Sequence, residues 1–355
     1  MWQYPSVAGC GDSVWTKGAG LRPATCAGLL AMLPVLAATS SSAQPAVGLA
    51  VGYQRGETSY DVEFPFESAV LDAIARGRSR LDWPLDALVA SGSVAWRQPA
   101  PRVPWEVAFS VGTNLTDPGG EMLDRDWTGV PELQIPMFKW AATRSDCSLH
   151  MLVVESTLWL HLAGGFDPWT IPAAEGAALG FGYRHEHYAF RALGVDGWID
   201  EGSGRVPIDI PTDTTSLTYD TDRAMPFAAL RLPLAGPFSP IRLDAELRAA
   251  LLHVLDRDDH VLRNKRFRAT AWGAAGGAAL TGRAYVAGQP AALRLGIGVR
   301  LEASYERTFT GTLSQQYYGD DPGIPGNQTG TPIPDSGYFV ETKRWAAWLT
   351  TQLEF

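Results

Sequence analysis

The sequence predicts an all-β fold, a ten-stranded antiparallel transmembrane β-barrel with long extracellular loops. Long stretches of the chain alternate between apolar and polar residues, which is the period of a strand with one apolar face. The mean hydropathy is −0.06, close to zero, as it is when a lipid-facing half and a polar half cancel. Between these stretches, short turns rich in Pro and Gly alternate with long polar segments, which is typical of outer-membrane barrels.

The strands are expected where the alternation is sustained. It is clearest from Leu293 to Glu306, where every second residue is apolar and the residues between are polar or glycine. The C-terminal stretch repeats the pattern and ends on Phe355, which resembles the C-terminal signature of outer-membrane barrels. Asp244 to Leu255 also fits an amphipathic helix, and we assign it to a strand because its neighbours are strands. The expected strands are roughly residues 46–63, 79–97, 104–117, 150–164, 174–191, 223–235, 240–256, 264–287, 292–308 and 338–355.

The composition argues against several other classes of protein. Among 355 residues, 29 Lys and Arg stand against 38 Asp and Glu, and the net charge of −9 is opposite to the basic footprint of a nucleic-acid binder. The chain has no central run of about 18 or more apolar residues, so a helical membrane protein is not expected. Three cysteines are too few for a disulfide scaffold.

The N-terminal segment is typical of a secretory signal peptide. A basic stretch precedes an apolar run over residues 24–38, and small residues that suit cleavage end at Ala43. We therefore expect a signal peptide over residues 1–43 and a barrel over residues 44–355. Cys147 is then the one cysteine of the mature chain, and we expect an inert thiol because no basic partner is evident.

Two acidic clusters follow expected strands. Asp124 and Asp126 are two residues apart, which puts both carboxylates on one face of an extended chain, about 7 Å apart. Asp256, Asp258 and His260 share a face in the same way, and their parity places them on the polar, inward side. A histidine held by a carboxylate can act as a general base, so the two clusters could activate a water across the barrel mouth. Asp-rich loops are also typical of solvated or Ca²⁺-binding segments, although the EF-hand spacing is absent.

Several motifs, in the same chain order, resemble those of the omptins, a family of ten-stranded outer-membrane endopeptidases. The matching segments are Ser79-Arg80-Leu81-Asp82-Trp83, Gly119 to Trp127, Gly182-Tyr183 with Tyr188-Ala189-Phe190, Met225-Pro226-Phe227, and Asp256 to His260.

The resemblance implies a catalytic mechanism without a metal, a cofactor or a covalent intermediate. Asp124 and Asp126 match the family's aspartate pair, and Asp258 and His260 match its Asp–His pair. His260 would be the general base, oriented by Asp258. Asp124 would position the attacking water, and Asp126 would stabilise the arrangement.

The resemblance also implies a preference for Arg or Lys at the scissile bond of peptide or protein substrates. Asp256 and Glu57 match the acids of the pocket for the residue before the bond. Asp146 matches the acid that reads the residue after it. Buried acids favour guanidinium and ammonium groups, and the net negative charge would steer cationic peptides.

The family contacts lipopolysaccharide, which is a candidate requirement for activity. Tyr183 matches a contact position, while His185 and His187 stand where the family usually has an acid and an arginine. A zinc site formed by the two histidines is the alternative, but no third ligand is evident in the sequence. We therefore expect these three residues to contact lipid.

The expected protein is a monomer in the bacterial outer membrane, with its active site on the extracellular side. A non-proteolytic adhesin or invasin of the same fold is the alternative function. A passive channel is less favoured, because about ten strands enclose little open space.

Overall fold

A computed structural model describes residues 44–68, 73–98, 103–162, 177–200, 202, 204–234, 241–286, 293–319 and 337–355. The expected signal peptide over residues 1–43 lies outside the described residues. Within the described part, none of the helices has the length and apolar character needed to cross a membrane.

The described residues form one antiparallel sheet of twelve strands. The strands are β1 (Gln44–Ser68), β2 (Ala73–Pro84), β3 (Ala87–Gln98), β4 (Trp105–Asn114), β5 (Glu121–Val130), β6 (Ile135–His161), β7 (Ala178–Asp200), β8 (Arg205–Pro233), β9 (Ile241–His260), β10 (Lys265–Tyr285), β11 (Arg294–Tyr317) and β12 (Gly337–Glu354). Single 3₁₀ turns at Pro131–Leu133 and Val261–Arg263 follow β5 and β9. The segment that also fitted a helix is part of β9 and is a strand.

Hydrogen bonds connect the strands in the order β12-β11-β10-β9-β8-β7-β6-β4-β3-β1-β2-β5. β1 also pairs with β12, from Ala46 opposite Glu354 to Glu63 opposite Gly337. β5 also pairs with β6. The first and last strands of the described residues are therefore hydrogen-bonded neighbours, and the sheet has an inner face that holds the buried core.

Twelve strands replace the ten expected, and the differences lie mainly in segments that were expected to be loops. The expected strand over residues 79–97 is divided into β2 and β3, which pair with different parts of β1. β5 and the first half of β6 lie within residues 117–150, and parts of residues 193–222 and 310–337 continue β7, β8 and β11. Polar residues lie on both faces of these extensions, so the sequence does not show the alternation that predicts a strand. The backbone hydrogen bonds between neighbouring strands nevertheless continue there.

The outer face carries a band of exposed apolar side chains. We call it the outer apolar belt. On four strands it comprises Val47, Leu49 and Val51 of β1, Leu247 and Leu251 of β9, Val299 and Leu301 of β11, and Leu349 of β12. Such a continuous apolar band is unfavourable in water and suits contact with lipid hydrocarbon.

Ion pairs fill part of the inner face, and we call them the interior ion-pair layer. Arg223 Nη1 lies 2.7 Å from Glu306 Oε2, and Arg344 Nη2 lies 2.9 Å from Glu186 Oε1. All four side chains are buried. Charges are tolerated in such an interior only when they are paired and hydrogen-bonded. Near Gln44 and Phe355, the ends of the described chain, a polar cavity of about 510 Å³ is lined by other charged residues of the interior.

Removing Arg223 should destabilise the fold strongly, because Glu306, which is 2% exposed, would lose its closest cation and keep only the longer contact of 3.7 Å from its Oε1 to Arg344 Nη2. We expect Arg223→Ala to lower the free energy of unfolding by about 3–5 kcal/mol. Denaturant unfolding of the refolded protein in detergent measures it. The control Arg257→Ala removes a half-exposed partner of Asp259, where about 1 kcal/mol or less is expected. An equal effect of the two substitutions would contradict the layer's role.

Candidate active site

Asp258 and His260 end β9, immediately before the turn at Val261–Arg263. They are two residues apart and so share the inner face. His260 Nε2 lies 3.1 Å from Asp258 Oδ2, and Asp258 is 3% exposed. The chain reverses at Asn264, whose φ of 50° is left-handed, and β10 then pairs back along β9. The hairpin fixes the histidine beside its carboxylate.

Asp124 and Asp126 lie on β5, where they pair across the sheet with Leu81 and Ser79 of β2. β2 in turn pairs with the part of β1 that lies beyond the outer apolar belt. Burial raises the pKa of Asp124 well above its usual range, and the charges of Asp126 and Asp258 raise it further. Burial also raises the pKa of Asp126, against the lowering effects of a hydrogen bond from Ser79 and of the charge of His260.

The two acidic clusters lie near each other: the Tyr60 hydroxyl donates to Asp258, and Tyr60 lies opposite Leu81, which in turn lies opposite Asp124. Asp124 is influenced by Asp258, and Asp126 by His260, although the two clusters lie on separate strands, β5 and β9. The four residues that the sequence predicts as a catalytic set are therefore near one another, and their catalytic role stays a prediction.

Two carboxylate oxygens of this cluster are buried without a hydrogen-bond donor among the described residues: Asp124 Oδ1 and Asp258 Oδ1. A buried acceptor that lacks a donor costs about 1–3 kcal/mol, and more when it is charged. Both oxygens therefore favour a small donor such as water, which is stable in a buried site when it has two or more polar partners.

Tyrosines that sequence analysis missed hold the carboxylates of β9. The Tyr60 hydroxyl donates to Asp258 Oδ2, and the Tyr338 hydroxyl donates to Asp256 Oδ2. The Tyr60 ring lies 5.0 Å from that of Tyr219 and 5.8 Å from that of Tyr338, measured between centroids. Their inward parity on β1, β8 and β12 is readable from the sequence, but the contacts across the interior are not.

The structure does not bring Glu57 to this cluster, which corrects its expected place in the pocket. Glu57 is exposed and has the strand parity of Tyr53, which lies on the outer face. The inward residues at this level of β1 are Thr58 and Tyr60, and both are buried. The motif match ignored the two-residue period of a strand.

Asp146 is also placed outside the cluster. Its side chain is exposed, whereas the neighbouring Ser145 and Cys147 are buried on the inner face. A register shift between Arg144 and Asp146 accompanies this placement. Bulges of this kind redirect side chains, so the expectation that Asp146 lines the pocket is corrected.

Asp256 lies two residues before Asp258 on the inner face of β9, and its side chain is buried, with 7% exposed. It pairs across the sheet with Thr221 and Ala269, and it receives the hydroxyl of Tyr338. Its Oδ1 has no donor among the described residues. Asp256 is thus placed where a basic side chain that entered the interior could meet a carboxylate.

Tyr183, His185 and His187 lie in a row on the outer face of β7. Tyr183 is 46% exposed. His185 Nε2 and His187 Nδ1 lie 3.4 Å and 3.1 Å from Asp222 Oδ1 on β8, a partner that sequence analysis missed. In the described part of the chain, no three His, Cys, Asp or Glu side chains are placed so that they could hold a metal ion.

Cys147, which follows Asp146 on β6, is a buried free thiol. Burial raises the pKa of the Cys147 thiol to about 12, and the charge of Asp117 adds to this. Because the thiolate is the nucleophile, a thiol in this setting is unreactive at neutral pH.

Comparisons with known proteins bear on the fold. No protein-family model matches the chain, and no curated protein matches it. Among solved structures, the outer membrane protease OmpT from Escherichia coli has a TM-score of 0.62 at 17% sequence identity, over 89% of this chain and 97% of OmpT. The β domain of the Bordetella autotransporter BrkA and the translocator domain of NalP from Neisseria meningitidis have TM-scores of 0.28 and 0.29, at 10% identity each. The likeness to OmpT supports an outer-membrane β-barrel fold.

Burial of Asp124 should make stability depend on pH. Because its pKa is raised in the folded state, the folded protein holds a proton that the unfolded chain releases above about pH 4. Stability is therefore lost as pH rises from there towards the folded pKa. We expect Asp124→Asn, which stays neutral, to stabilise the fold more at pH 8 than at pH 4.

Denaturant unfolding at the two pH values measures this difference. The control Asp146→Asn alters an exposed carboxylate and should change stability little at either pH. A gain that is equal at pH 4 and pH 8 would contradict the buried, raised-pKa carboxyl at Asp124.

Proposed function

We propose that this chain is an outer-membrane endopeptidase that hydrolyses peptide bonds next to Arg or Lys. Asp124 and Asp126 form one half of its site, and Asp258 and His260 form the other. The observation that carries the proposal is the nearness of these two pairs, in which Asp124 Oδ1 and Asp258 Oδ1 are buried without a hydrogen-bond donor among the described residues.

The hydrogen bond between His260 and Asp258 suggests how a water is activated. With Nε2–H donating to Asp258, Nδ1 of His260 carries the lone pair and is the atom that accepts a proton. An oxygen of Asp124 orients the water for attack on the peptide carbonyl, and Asp126 supports Asp124 on the same strand. His260 then returns the proton to the leaving amine. Each step needs only water as nucleophile, so no covalent intermediate forms.

The preference for basic residues rests on Asp256 and on the acidic character of the whole cluster. Asp256 is buried beneath the Asp258–His260 pair and keeps one oxygen without a donor among the described residues. A guanidinium or ammonium group satisfies such an oxygen with a charge-assisted hydrogen bond. The net charge of −9 adds long-range attraction for cationic peptides. Because Glu57 and Asp146 face outward, the preference does not depend on them.

The sheet supports a membrane location. With β12 paired to β1 and β6 paired to both β4 and β5, we infer a closed barrel that has ten strands at each level. The outer apolar belt would meet lipid, with Tyr183, His185 and His187 as lipopolysaccharide contacts. The backbone N–H of Phe355 donates to the carbonyl oxygen of Pro45, so both ends of the described chain lie together, away from the acidic cluster. A secreted, monomeric outer-membrane protein with an extracellular site fits this arrangement.

Cleavage by the refolded protein with lipopolysaccharide tests the proposal. We expect hydrolysis of a peptide that contains Arg-Arg, and a loss of at least about a hundredfold in His260→Ala and in Asp124→Ala, since proton transfer and water positioning are removed. Mass spectrometry of the products gives both the rate and the bond cleaved.

Matched controls come from the two outward acids. Glu57→Ala and Asp146→Ala each remove an acid outside the cluster and should retain cleavage within about twofold. Undiminished cleavage by His260→Ala would overturn the assignment. Cell binding without cleavage, retained in Asp124→Ala, would favour the adhesin alternative.

A further inference from the structure

Three side chains meet at one carboxylate oxygen in the candidate site. The hydroxyl of Tyr60, on β1, donates to Asp258 Oδ2, on β9. The same oxygen lies 3.1 Å from His260 Nε2. β1 and β9 are not neighbours in the sheet, so this hydrogen bond crosses the interior. Asp258 therefore has its position set from two sides, by the strand that carries it and by the tyrosine opposite.

Tyr60 is held rigidly enough to set that position. Its side chain is 3% exposed and packs against Tyr219 and Tyr338. Tyr219 in turn stacks on Trp83, with ring centroids 5.6 Å apart. In close-packed interiors such rings occupy one rotamer, because movement would open a void. The hydroxyl is thus presented to Asp258 by a fixed aromatic cluster.

The Tyr60 hydroxyl also remains a donor over the working pH range. Burial and the negative charge of Asp258 raise the pKa of Tyr60 well above its usual value. The phenol is therefore protonated at every pH at which a histidine base operates. A hydrogen bond to a carboxylate spreads its negative charge, so less of that charge acts on the other partner of the same oxygen.

We propose that Tyr60 is a positioning residue, which fixes the Asp258 carboxylate and limits how strongly that carboxylate holds a proton on His260. The inference rests on the proposed function, in which His260 is the general base. It adds a component of the site that lies on a different strand from both acidic clusters and that the sequence motifs did not indicate.

The consequence for His260 has a definite sign. Without the hydroxyl, the full negative charge of Asp258 acts on the imidazole and favours its protonated form, so a higher pH is needed to produce the base. The other charged groups of the site are Asp124 and Asp126 of β5, Arg263 in the turn and Lys265 at the start of β10. A Tyr60→Phe substitution leaves these groups in place.

The chain offers a matched control in the same aromatic cluster. Tyr338 donates to Asp256 as Tyr60 donates to Asp258, and the two tyrosine rings are in contact. Tyr338→Phe also removes a buried hydroxyl from this aromatic cluster. That hydroxyl donates to Asp256, so the Asp258 oxygen that faces His260 keeps its hydrogen bond from Tyr60. Its effect should fall on KM for basic substrates, through Asp256, and should leave the acid limb of the pH profile in place.

Steady-state kinetics across pH, with Tyr60→Phe and Tyr338→Phe beside the unaltered protein, test the inference. In Tyr60→Phe we expect kcat to fall about tenfold with KM within about twofold, because only proton transfer is affected. The acid limb should move about half a unit to higher pH. A merely structural role would lower stability without moving that limb. An unmoved limb, or an equal movement in Tyr338→Phe, would overturn the inference.

NMR-monitored protonation of His260 in the refolded protein separates this inference from the proposed function. The midpoint should move to higher pH in Tyr60→Phe and stay in place in Tyr338→Phe, whether or not the protein cleaves peptides. No movement in Tyr60→Phe overturns the role of Tyr60 alone. Absence of cleavage by the unaltered protein overturns the endopeptidase proposal alone.

Discussion

Backbone pairing between β1 and β12 is the constraint on which the rest of the structure depends. It joins the two ends of the described chain along almost the whole length of β12. Once the sheet has an inner face, every second side chain must be buried there, whatever its polarity. Arg223 and Glu306 satisfy that demand as an ion pair, and Tyr60 and Asp258 satisfy it as a hydrogen bond. The outer apolar belt is the complementary result of the same alternation.

The acidic cluster shows how such an interior can favour chemistry at the expense of stability. Burying Asp124 beside Asp126 and Asp258 raises its pKa, which is a cost to the folded state at neutral pH. A fold selected for stability alone would replace one of these carboxylates by a neutral side chain. Strongly perturbed acids that gather in one place are characteristic of functional sites. The interior ion-pair layer has compensated charges and shows no comparable excess of acid.

The sequence was sufficient to predict the strands that carry the outer apolar belt, because apolar and polar residues alternate there without interruption. Two short motifs and strand parity also led to the prediction that Asp124, Asp126, Asp258 and His260 act together, and the structure places His260 beside Asp258. The sequence could not predict β5 or the first half of β6, where apolar and polar residues do not alternate regularly. It misplaced Asp146 at a bulge, and it could not indicate contacts across the interior such as that of Tyr60 with Asp258.

The central claim is that the aspartate pair and the Asp–His pair act on one water in one step. A double-substitution cycle on residual cleavage, with Asp124→Asn, His260→Ala and both together, tests it most directly. Groups that act as a unit are not additive, so the double variant should cleave within about threefold of the slower single variant. A rate reduced by the product of the two single effects would show that the residues act independently and would contradict the account.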